Sequence, residues 1–352
     1  MTNSKTCSVD TLAIVILNYN GHSFLADFLP TVLANADNYP VYVADSASTD
    51  GSVAFVRATF PSVRIIGLHR NEGYAGGYNL ALEHIRTQYG GATYYVLLNS
   101  DIEVTPGWLS PVLKLLETNP HIAACQPKIR SYTQRNQFEH AGAAGGFVDW
   151  LGYVFCRGRI FAQFEVDRGQ YDDNRRVFWA TGACLFVRAD VFHRTGGFDA
   201  SFFAHMEEID WCWRVQRLGH EVWACGESTV YHVGGGTLHK SNPHKTYLNY
   251  RNSLFMLYKN WPADGWLWGK IGLRLVLDGI SSLLFLKVGQ WRDVGAILRA
   301  HFAFYGRLPQ LHRQRRALQR EQKNDVALYP RSIVWQYFGQ GKKTLGEMVN
   351  VK

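Results

Sequence analysis

Four apolar runs in the first part of the chain each end in a segment of turn-forming polar residues. The first run, Leu12–Leu17, is continuous and rich in β-branched residues, and Asn18-Tyr19-Asn20-Gly21 follows it. Similar runs occupy residues 41–44, 63–67 and 94–98, and segments of helical character separate them. Buried parallel strands have this continuous apolar pattern, and they are joined by helices. The sequence therefore predicts an α/β fold built on a mostly parallel sheet.

The polar segments that follow these runs predict one ligand site. In parallel α/β sheets, ligands bind beyond the carboxyl ends of the strands, which lie at one edge. Asp45 ends the second run and could accept a hydrogen bond from the imide N–H of uracil or thymine, because a carboxylate only accepts. The alternative is that Asp45 caps the next helix, although Asp50 is better placed for capping.

A glycine-rich segment, residues 71–79, follows the third run as a predicted loop. Its glycines would let a ligand approach the backbone closely, although glycine-rich turns are common. A dinucleotide-binding fingerprint would instead follow the first strand, and neither that fingerprint nor a Walker sequence occurs. The sequence therefore argues against dehydrogenases and P-loop nucleotide hydrolases.

Two further residues indicate a metal site near these segments. Asp101 ends the polar segment after the fourth run, and a carboxylate there could hold Mg²⁺ or Mn²⁺ against a diphosphate. The metal would neutralise charge on a leaving diphosphate, and the alternative is a simple turn carboxylate. His232 precedes a glycine triplet at 234–236, where a metal or phosphate role competes with a structural one.

A cluster of acidic residues begins a helix predicted over residues 207–218. The helix dipole would stabilise Glu207, Glu208 and Asp210 there, which is one explanation of the cluster. The functional explanation is a general base that takes a proton from an attacking hydroxyl, with crowding of the carboxylates raising its pKa. Asp210 and Arg214 are spaced to form an ion pair along the helix.

The rest of the chain predicts a less regular half and then helices. Residues 130–180 predict loops and short strands, and helical character dominates from Tyr247 onward. Lys270, Arg274 and Asp278 form a polar stripe on an otherwise apolar helix. Such a helix either packs on the domain or lies on a membrane surface.

The charge distribution and the cysteines indicate which partners and which cellular location the protein could have. Residues 287–352 contain thirteen Lys and Arg against four Asp and Glu, a net charge of +9, which leaves −1 elsewhere because the whole chain carries +8. This tail suits an anionic membrane, a lipid-linked phosphate or nucleic acid, or else it is a solvated helix face.

The six scattered cysteines predict reduced thiols in a cytosolic protein. No signal peptide is expected, and no apolar stretch approaches the ~20 residues that span a bilayer.

In their order along the chain, these motifs resemble glycosyltransferase family 2, which has the GT-A fold. More narrowly, they resemble the bacterial rhamnosyltransferase-like members that build cell-surface polysaccharide. The resemblance covers roughly residues 11–260, and it is specific because the motifs occur together and in order. The matching segments are 15–20, 43–52, 71–79, 97–101, 182–188, 196–199 and 202–214.

The resemblance implies a domain organisation and a donor site. Residues 9–258 would form the GT-A domain, with a nucleotide-binding half (9–105) and an acceptor and catalytic half (106–258). Residues 259–352 would form a basic, mainly helical extension. The residues that would bind the nucleotide-sugar donor are Asn18, Asn20, Asp45, Asn71, Gly73, Asn79, Asn99 and Ser100.

By the same resemblance, Asp101 and His232 would hold a divalent metal, Mg²⁺ or Mn²⁺. Asn99 occupies the first position of the family's Asp-x-Asp-like motif, so an amide stands there in place of a carboxylate. Glu208 would be the catalytic base, with Glu207 as the alternative.

The implied activity is the inverting transfer of one sugar, with rhamnose as a candidate, from a dTDP- or UDP-sugar to a hydroxyl of a lipid-linked glycan. The Gln-x-x-Arg-Trp motif of processive synthases does not occur, which favours a single addition. We expect a cytoplasmic protein, peripheral on the inner membrane, that does not bind nucleic acid. The alternatives are a nucleotidyltransferase that makes a sugar nucleotide and a non-catalytic protein that binds one.

Overall fold

The computed structural model describes residues 10–139, 141–234, 242–262, 265–321 and 326–348. Within these ranges, nine strands form one sheet flanked by helices, and four short strands form a second sheet. The predicted α/β class is therefore confirmed, together with the helical character of the C-terminal part.

The first half of the chain alternates strands and helices as predicted. Its elements are β1 (Asp10–Asn18), α1 (His22–Ala34), β2 (Val41–Asp45), α2 (Ser52–Thr59), β3 (Arg64–Gly67), α3 (Gly73–Gln88) and β4 (Ala92–Asn99). The four strands are parallel in the order β4-β1-β2-β3. Ala13 and Val15 of β1 belong to one apolar cluster, and Ile14 and Ile16 belong to another. Because neighbouring residues of a strand point to opposite faces, both faces are buried, which explains the continuous apolar runs.

The second half completes the large sheet with strands of mixed direction. Its elements are β5 (Ile102–Val104), α4 (Leu109–Thr118), β6 (Ile122–Ser131), β7 (Gly146–Val148), β8 (Val154–Cys156), β9 (Arg159–Ile160), β10 (Gln163–Phe164), β11 (Arg175–Val177), β12 (Cys184–Arg188), α5 (Ala189–Arg194), α6 (Glu207–Arg217) and β13 (Glu221–His232). Strand β12 lies antiparallel between β4 and β6, and β13 runs parallel to β6 and antiparallel to β5. Strands β7 to β10 form the small sheet, so the short strands predicted for residues 130–180 are confirmed.

Helices follow this second half of the fold and pack against it. They are α7 (Pro243–Asn260), α8 (Leu267–Lys287), α9 (Trp291–Glu321) and α10 (Leu345–Met348), with a π-helical turn at Trp335–Gly339. The chain then returns to the domain, where Asp149 Oδ2 accepts a hydrogen bond from the Ile333 amide at 2.9 Å. In the part of the chain that the structure describes, no helix is long and apolar enough to cross a membrane.

The glycine-rich segment is a helix start, and the prediction of a loop over residues 71–79 was wrong. Helix α3 begins at Gly73, so only Asn71 and its neighbour precede it. Gly77 permits this close packing because a Cβ there would lie 2.8 Å from Leu17 Cδ1 of β1. The glycines therefore allow a helix to approach the sheet, despite their low helix propensity.

The polar stripe of α8 faces the domain. Lys270, Arg274 and Asp278 are 8%, 3% and 2% exposed, respectively. Of the two alternatives left open by the sequence, packing on the domain is thus observed for this stripe, and the apolar side of the helix faces outward.

Candidate active site

Asn18 and Asp45 end neighbouring parallel strands and are paired in the sheet register. Asn18 Nδ2 donates to Asp45 Oδ1 at 2.8 Å, and the Ser48 amide donates to Asp45 Oδ2 at 2.9 Å. These bonds fix the direction of the buried Asp45 carboxylate and leave it lone pairs for a further donor. The sheet therefore brings these two predicted donor-site residues together.

Asn20 joins the loops that follow β1 and β2. Its Oδ1 accepts a hydrogen bond from the Thr49 amide at 2.8 Å, and its own amide donates to Ser48 Oγ at 2.8 Å. Asp50 accepts from the Ser52 amide at the start of α2 at 3.0 Å. The expectation that Asp50, rather than Asp45, serves the helix start is confirmed, which leaves Asp45 for another role.

Two buried polar atoms at this edge have no hydrogen-bond partner within the described ranges. They are Asn18 Oδ1 and Ser46 Oγ, on either side of Asp45 in the fold. A buried polar group without a partner costs about 1–3 kcal/mol. Such atoms are tolerated where a ligand or an ordered water meets them, so they are consistent with a binding edge.

The start of α3 packs against the segment that leads to the acidic cluster. Asn71 Oδ1 accepts from the Gly73 amide at 2.8 Å. Gly73 has a φ of +71°, and a Cβ there would lie 2.3 Å from the backbone oxygen of Phe203. Further along the helix, the Asn79 side chain bonds both backbone groups of Phe198, at 2.8 and 3.0 Å. Both polar ends of Asn79 are thus engaged, so we propose that it positions this segment and does not contact a donor.

The side chain of Asp101, in the turn after β4, lies next to that of His232 at the end of β13. Asp101 Oδ1 is 3.1 Å from His232 Nε2, and both side chains are buried. Glu139 Oε2 is 2.9 Å from His232 Nδ1, on the other side of the ring. Asn99 Nδ2 is 3.5 Å from the same Nε2 atom, and Ser100 lies partly buried between Asn99 and Asp101.

These residues fit a divalent metal as a partial ligand set. Adjacent ligands of an octahedral Mg²⁺ ion with bonds of about 2.1 Å are about 3 Å apart, which matches the separation of Asp101 Oδ1 from His232 Nε2. A carboxylate on the second nitrogen of a metal-binding histidine is the usual arrangement, and Glu139 supplies it. Among the described residues, no group of three or more His, Cys, Asp or Glu is disposed to hold a metal. A bound ion would therefore need diphosphate oxygens or waters as its other ligands.

The two carboxylates also control the charge of His232. Burial lowers the pKa of the imidazole, but Asp101 and Glu139 more than offset this and raise it to about 10. Without a metal the imidazole of His232 would therefore carry a proton at neutral pH. The glycines at 235 and 236, which were named with His232 in the sequence, lie outside the described residues.

Glu207 and Glu208 occupy the first turn of α6 with little solvent around them. Glu207 is 3% exposed, and the Oε2 atoms of both side chains are buried without a partner in the described structure. Burial raises the pKa of Glu208 to about 7, although backbone hydrogen bonds, including one from Gly182, oppose the rise. Burial and the charge of Glu208 raise the pKa of Glu207 well above its usual value. A carboxylate with a pKa near neutrality suits a general base.

Asp210 has a structural role. It accepts from Arg214 Nε at 3.0 Å, from Lys259 Nζ at 3.1 Å and from Asn260 Nδ2 at 2.7 Å. The predicted pair with Arg214 is confirmed, and the other two bonds fasten α6 to the end of α7. Of the three acidic residues in the cluster, Asp210 is thus structural, whereas Glu207 and Glu208 form a poorly solvated pair.

A strained turn delivers the acidic pair. Phe203, His205 and Met206 have φ values of 65°, 69° and 73°, a conformation that costs non-glycine residues about 1–2 kcal/mol each. Asn252 Nδ2 of α7 donates to backbone oxygens in this turn, including that of His205 at 2.7 Å. Arg251 Nη2 donates to the backbone oxygens just before the turn. Neither Arg251 nor Asn252 was identified from the sequence, because α7 contains many other polar residues and no local pattern distinguishes these two.

The strand-end edge and the acidic pair meet at the start of β12. The Asn99 amide donates to the Ala183 backbone oxygen at 2.9 Å, and Tyr74 Oη donates to the Gly182 oxygen at 2.5 Å. Tyr74 is partly buried, and the burial of its hydroxyl raises its pKa well above the usual value, to which the nearby Glu207 and Glu208 add. These contacts connect the turn that carries Asn99 and Asp101 to the segment beside Glu208, whose carboxylate also accepts a backbone hydrogen bond from Gly182.

Comparison with known proteins agrees with this construction. The family model described as glycosyl transferase family 2 matches residues 13–195, more than half of the chain, and the chain belongs to this family. Solved structures of the GT-A fold share its architecture. The protein is therefore a glycosyltransferase with the GT-A fold, as its motifs had predicted.

Three relatives illustrate the likeness. The N-acetylglucosaminyl-diphospho-decaprenol L-rhamnosyltransferase of Mycobacterium tuberculosis is 28% identical over 242 residues, covering 65% of this chain and 76% of that protein. The structure of GalNAc-T7 with UDP, GalNAc and Mn²⁺ has a TM-score of 0.56 at 15% identity, over 73% of this chain and 49% of that one, about half its length. The mannosyltransferase PcManGT of Pyrobaculum calidifontis, in complex with GDP-Man and Mn²⁺, has a TM-score of 0.51 at 14% identity, over 85% and 88% of the two chains.

Proposed function

We propose that this glycosyltransferase moves one sugar, with rhamnose as the leading candidate, from a dTDP- or UDP-sugar to a hydroxyl of a lipid-linked glycan in cell-surface polysaccharide synthesis. The observation that carries the proposal is the acidic pair Glu207 and Glu208, each with a buried carboxylate oxygen, where burial raises the pKa of Glu208 to about 7. The name of the Mycobacterium relative supports both the sugar and the diphospholipid acceptor.

The donor base would lie at the ends of β1 and β2. Asp45 would accept from the imide N–H of uracil or thymine, held in direction by Asn18 and by the Ser48 amide. Asn20 would fix the loop above the base through its bond to the Thr49 amide. The donor contacts that complete the proposed site are those of Asn71, Gly73, Asn99 and Ser100.

A divalent metal, Mg²⁺ or Mn²⁺, would be held by Asp101 and His232. When bound, it would neutralise negative charge on the diphosphate as the sugar leaves. Glu139 would keep the His232 ring in the orientation that presents Nε2 beside Asp101. The Mn²⁺ complexes of GalNAc-T7 and PcManGT support this assignment.

Glu208 would take the proton from the acceptor hydroxyl. The hydroxyl oxygen forms a bond to the anomeric carbon as the bond from that carbon to the diphosphate oxygen breaks. Direct displacement of this kind inverts the anomeric centre, and the nucleoside diphosphate carries away the electron pair. Glu207 is the weaker candidate because its side chain is 3% exposed, and its pKa is also raised well above the usual value by burial and by the charge of Glu208.

The proposal also includes the domain organisation and the cellular location of the protein. We place residues 9–258 in the transferase domain and residues 259–352 in an extension that packs on it through α7. The five described cysteines are free and buried, which supports a reducing, cytoplasmic location.

The test compares Glu208→Gln with Glu207→Gln, using a labelled nucleotide sugar and a synthetic diphospholipid acceptor with Mn²⁺. We expect Glu208→Gln to lower kcat by roughly 10²–10⁴-fold while donor binding, measured by calorimetry, stays nearly unchanged. The exposed Asp190→Asn, an acid of α5 paired with Arg194, is the matched control and should keep full activity. Unchanged turnover in Glu208→Gln, or pyrophosphate release from a nucleoside triphosphate and a sugar phosphate, would contradict the proposal.

A further inference from the structure

Helix α8 has its charged residues inside and its apolar residues outside. Arg274 Nη1 donates to the Leu151 backbone oxygen at 3.1 Å, and Asp278 Oδ2 lies 3.0 Å from His301 Nε2 of α9. Lys270 Nζ lies 4.0 Å above the ring of Trp261. These contacts hold the polar stripe against the domain, so the outward face of α8 is the side that a water-facing helix would normally bury.

The outward face of α8 is apolar along its length. Val276, Ile280, Leu283, Leu284 and Val288 are 60%, 51%, 59%, 52% and 68% exposed, at the three- and four-residue spacing of one helix face. From residue 267 to residue 286, the charged residues of α8 are all in the buried stripe. Apolar patches of this kind on a protein surface mark an interaction site, because hiding them from water is favourable by about 25 cal/mol per Å².

Helix α9 packs against α8 and exposes apolar side chains as well. Leu298, Phe302 and Tyr305 are 54%, 76% and 46% exposed, one helical turn apart. Tryptophans border the two helices: Trp266 precedes α8, and Trp291 begins α9, with exposures of 68% and 70%. Tryptophan favours the boundary between lipid headgroups and acyl chains, because its ring is apolar and its N–H is polar.

The charges that surround these side chains have one sign. Over the described residues 265–321, the exposed charged side chains are basic with one exception, Glu321. The exposed basic residues of these two helices are Lys287, Arg292, Arg299, Arg307, Arg313, Arg316 and Arg320. Two copies of such a basic surface would repel each other, whereas an anionic lipid surface would attract it.

We propose that the α8–α9 face, defined by the exposed apolar residues of α8 and α9 named above, docks on the surface of a bilayer that contains anionic phospholipids. The helices would lie in the interface with their apolar side chains among the acyl chains and the arginines at the phosphates. This surface binding is separate from the glycosyl transfer proposed above, and each can fail without the other.

A cavity between α7 and α9 is lined in part by Arg251, which also contacts the strained turn. It has a volume of ≈ 270 Å³ and is lined by Tyr247, Arg251 and Phe255 of α7 together with Ala303, Gly306 and Arg307 of α9. Arg251 also donates to the backbone oxygens of Ser201 and Phe202, at the entry to the strained turn. Helix α7 thus packs against α9 and also holds the turn of the proposed catalytic pair through Arg251, which connects the docked face to that turn.

The test is co-sedimentation of the full chain with phosphatidylcholine vesicles that contain or lack phosphatidylglycerol, at low and high salt. We expect binding that requires phosphatidylglycerol and weakens with salt. The double variant Val276→Glu/Leu283→Glu should lower the affinity roughly tenfold or more, because it removes two buried apolar side chains from the complex. Leu80→Glu, an equally exposed position of α3 at 49%, is the control and should bind as the native protein does.

Further measurements distinguish a loss of docking from misfolding, from a loss of catalysis and from dimerisation. Unfolding curves should show that both variants are folded, and Arg292→Glu/Arg299→Glu tests the electrostatic part if the apolar double variant is unstable. Transfer to a water-soluble acceptor should persist in the docking variants, which separates a loss of docking from a loss of catalysis. Native protein that ignores anionic vesicles at low salt would overturn the proposal. So would a dimer in sedimentation velocity that the double variant dissociates, because the face would then bind a second copy.

Discussion

The side-chain nitrogen of Asn252 lies 2.7 Å from the backbone oxygen of His205, two residues before Glu207. The same nitrogen is 2.9 Å from the backbone oxygens of Phe202 and Ala204. The two N–H donors of one buried amide are thus shared among three carbonyls of a turn whose φ values are unfavourable for its residues. The helix that carries Asn252 therefore maintains the shape of the turn that aims the acidic pair.

Replacing Asn252 with alanine should release this turn. We expect kcat to fall at least tenfold with little change in donor KM, because the proposed nucleobase site is built on β1 and β2. The lost hydrogen bonds should also lower the free energy of unfolding by about 1–3 kcal/mol. Steady-state kinetics and urea unfolding measure the two effects. Asn249→Ala, on the same helix and with its side chain donating to the Lys245 oxygen, is the control, and equal kcat values for the two variants would refute the role of Asn252.

The raised pKa of Glu208 predicts opposite pH trends for activity and stability. The base must be ionised, so kcat should rise with pH through about 7 and level off above it. Because the folded pKa exceeds the ordinary value of 4.5, the folded state binds more protons than the unfolded state between these values. Stability should therefore be highest below pH 4.5 as far as this group is concerned, and fall as the pH rises to about 7.

Thermal unfolding of Glu208→Gln isolates the contribution of Glu208 to the pH dependence of stability. Relative to the native protein, the variant should gain stability above pH 7, where the native chain must bury a charge, and gain little below pH 4.5. Coupling to Glu207 will broaden the transition, because the two carboxylates titrate as a pair. A constant difference between variant and native protein across this range would show that Glu208 is not the group responsible.

The metal assignment predicts a graded response to three variants. Asp101→Asn and His232→Ala should weaken Mn²⁺ binding strongly, and Glu139→Gln should weaken it roughly 10–100-fold, because it only orients His232. Titration with Mn²⁺ in the presence of UDP, read by calorimetry, measures this without turnover. Activity should disappear with EDTA and return with Mn²⁺. Glu103→Gln is the control: its partly exposed carboxylate bonds Arg135, and the variant should leave Mn²⁺ affinity unchanged.

The local pattern of the sequence was enough to predict the strands and the polar edge. Strands β1 to β4 follow from apolar runs that need no distant contact to be recognised, and their parallel order brings Asn18 beside Asp45. The pair of Asp210 with Arg214 was also predictable, because its spacing is set by the helix itself. Each of these inferences depends on residues that are close in the chain or on a general rule of sheet topology.

Other features depend on contacts that no local pattern records. Asn252 meets a turn 47 residues earlier in the chain, and nothing in its own helix indicates which polar residue will do so. The stripe of α8 has the same periodicity whether it faces water or the domain, so its direction needed the partners Leu151 and His301. The glycines of α3 predicted a loop because glycine disfavours helices, whereas tertiary packing of Gly77 against Leu17 and of Gly73 against Phe203 required them.

Gly73 offers a final test, because it joins the donor half to the turn that carries the catalytic pair. Its φ of +71° costs alanine about 1–2 kcal/mol, and the added Cβ would lie 2.3 Å from the Phe203 backbone oxygen, so the turn must shift. We therefore expect Gly73→Ala to lose at least that much stability in urea unfolding and to lower kcat at least tenfold. Gly67→Ala is the matched control at the end of β3, since a Cβ there meets nothing within 4 Å. If both variants kept native kcat, the contact between α3 and the turn would not control catalysis.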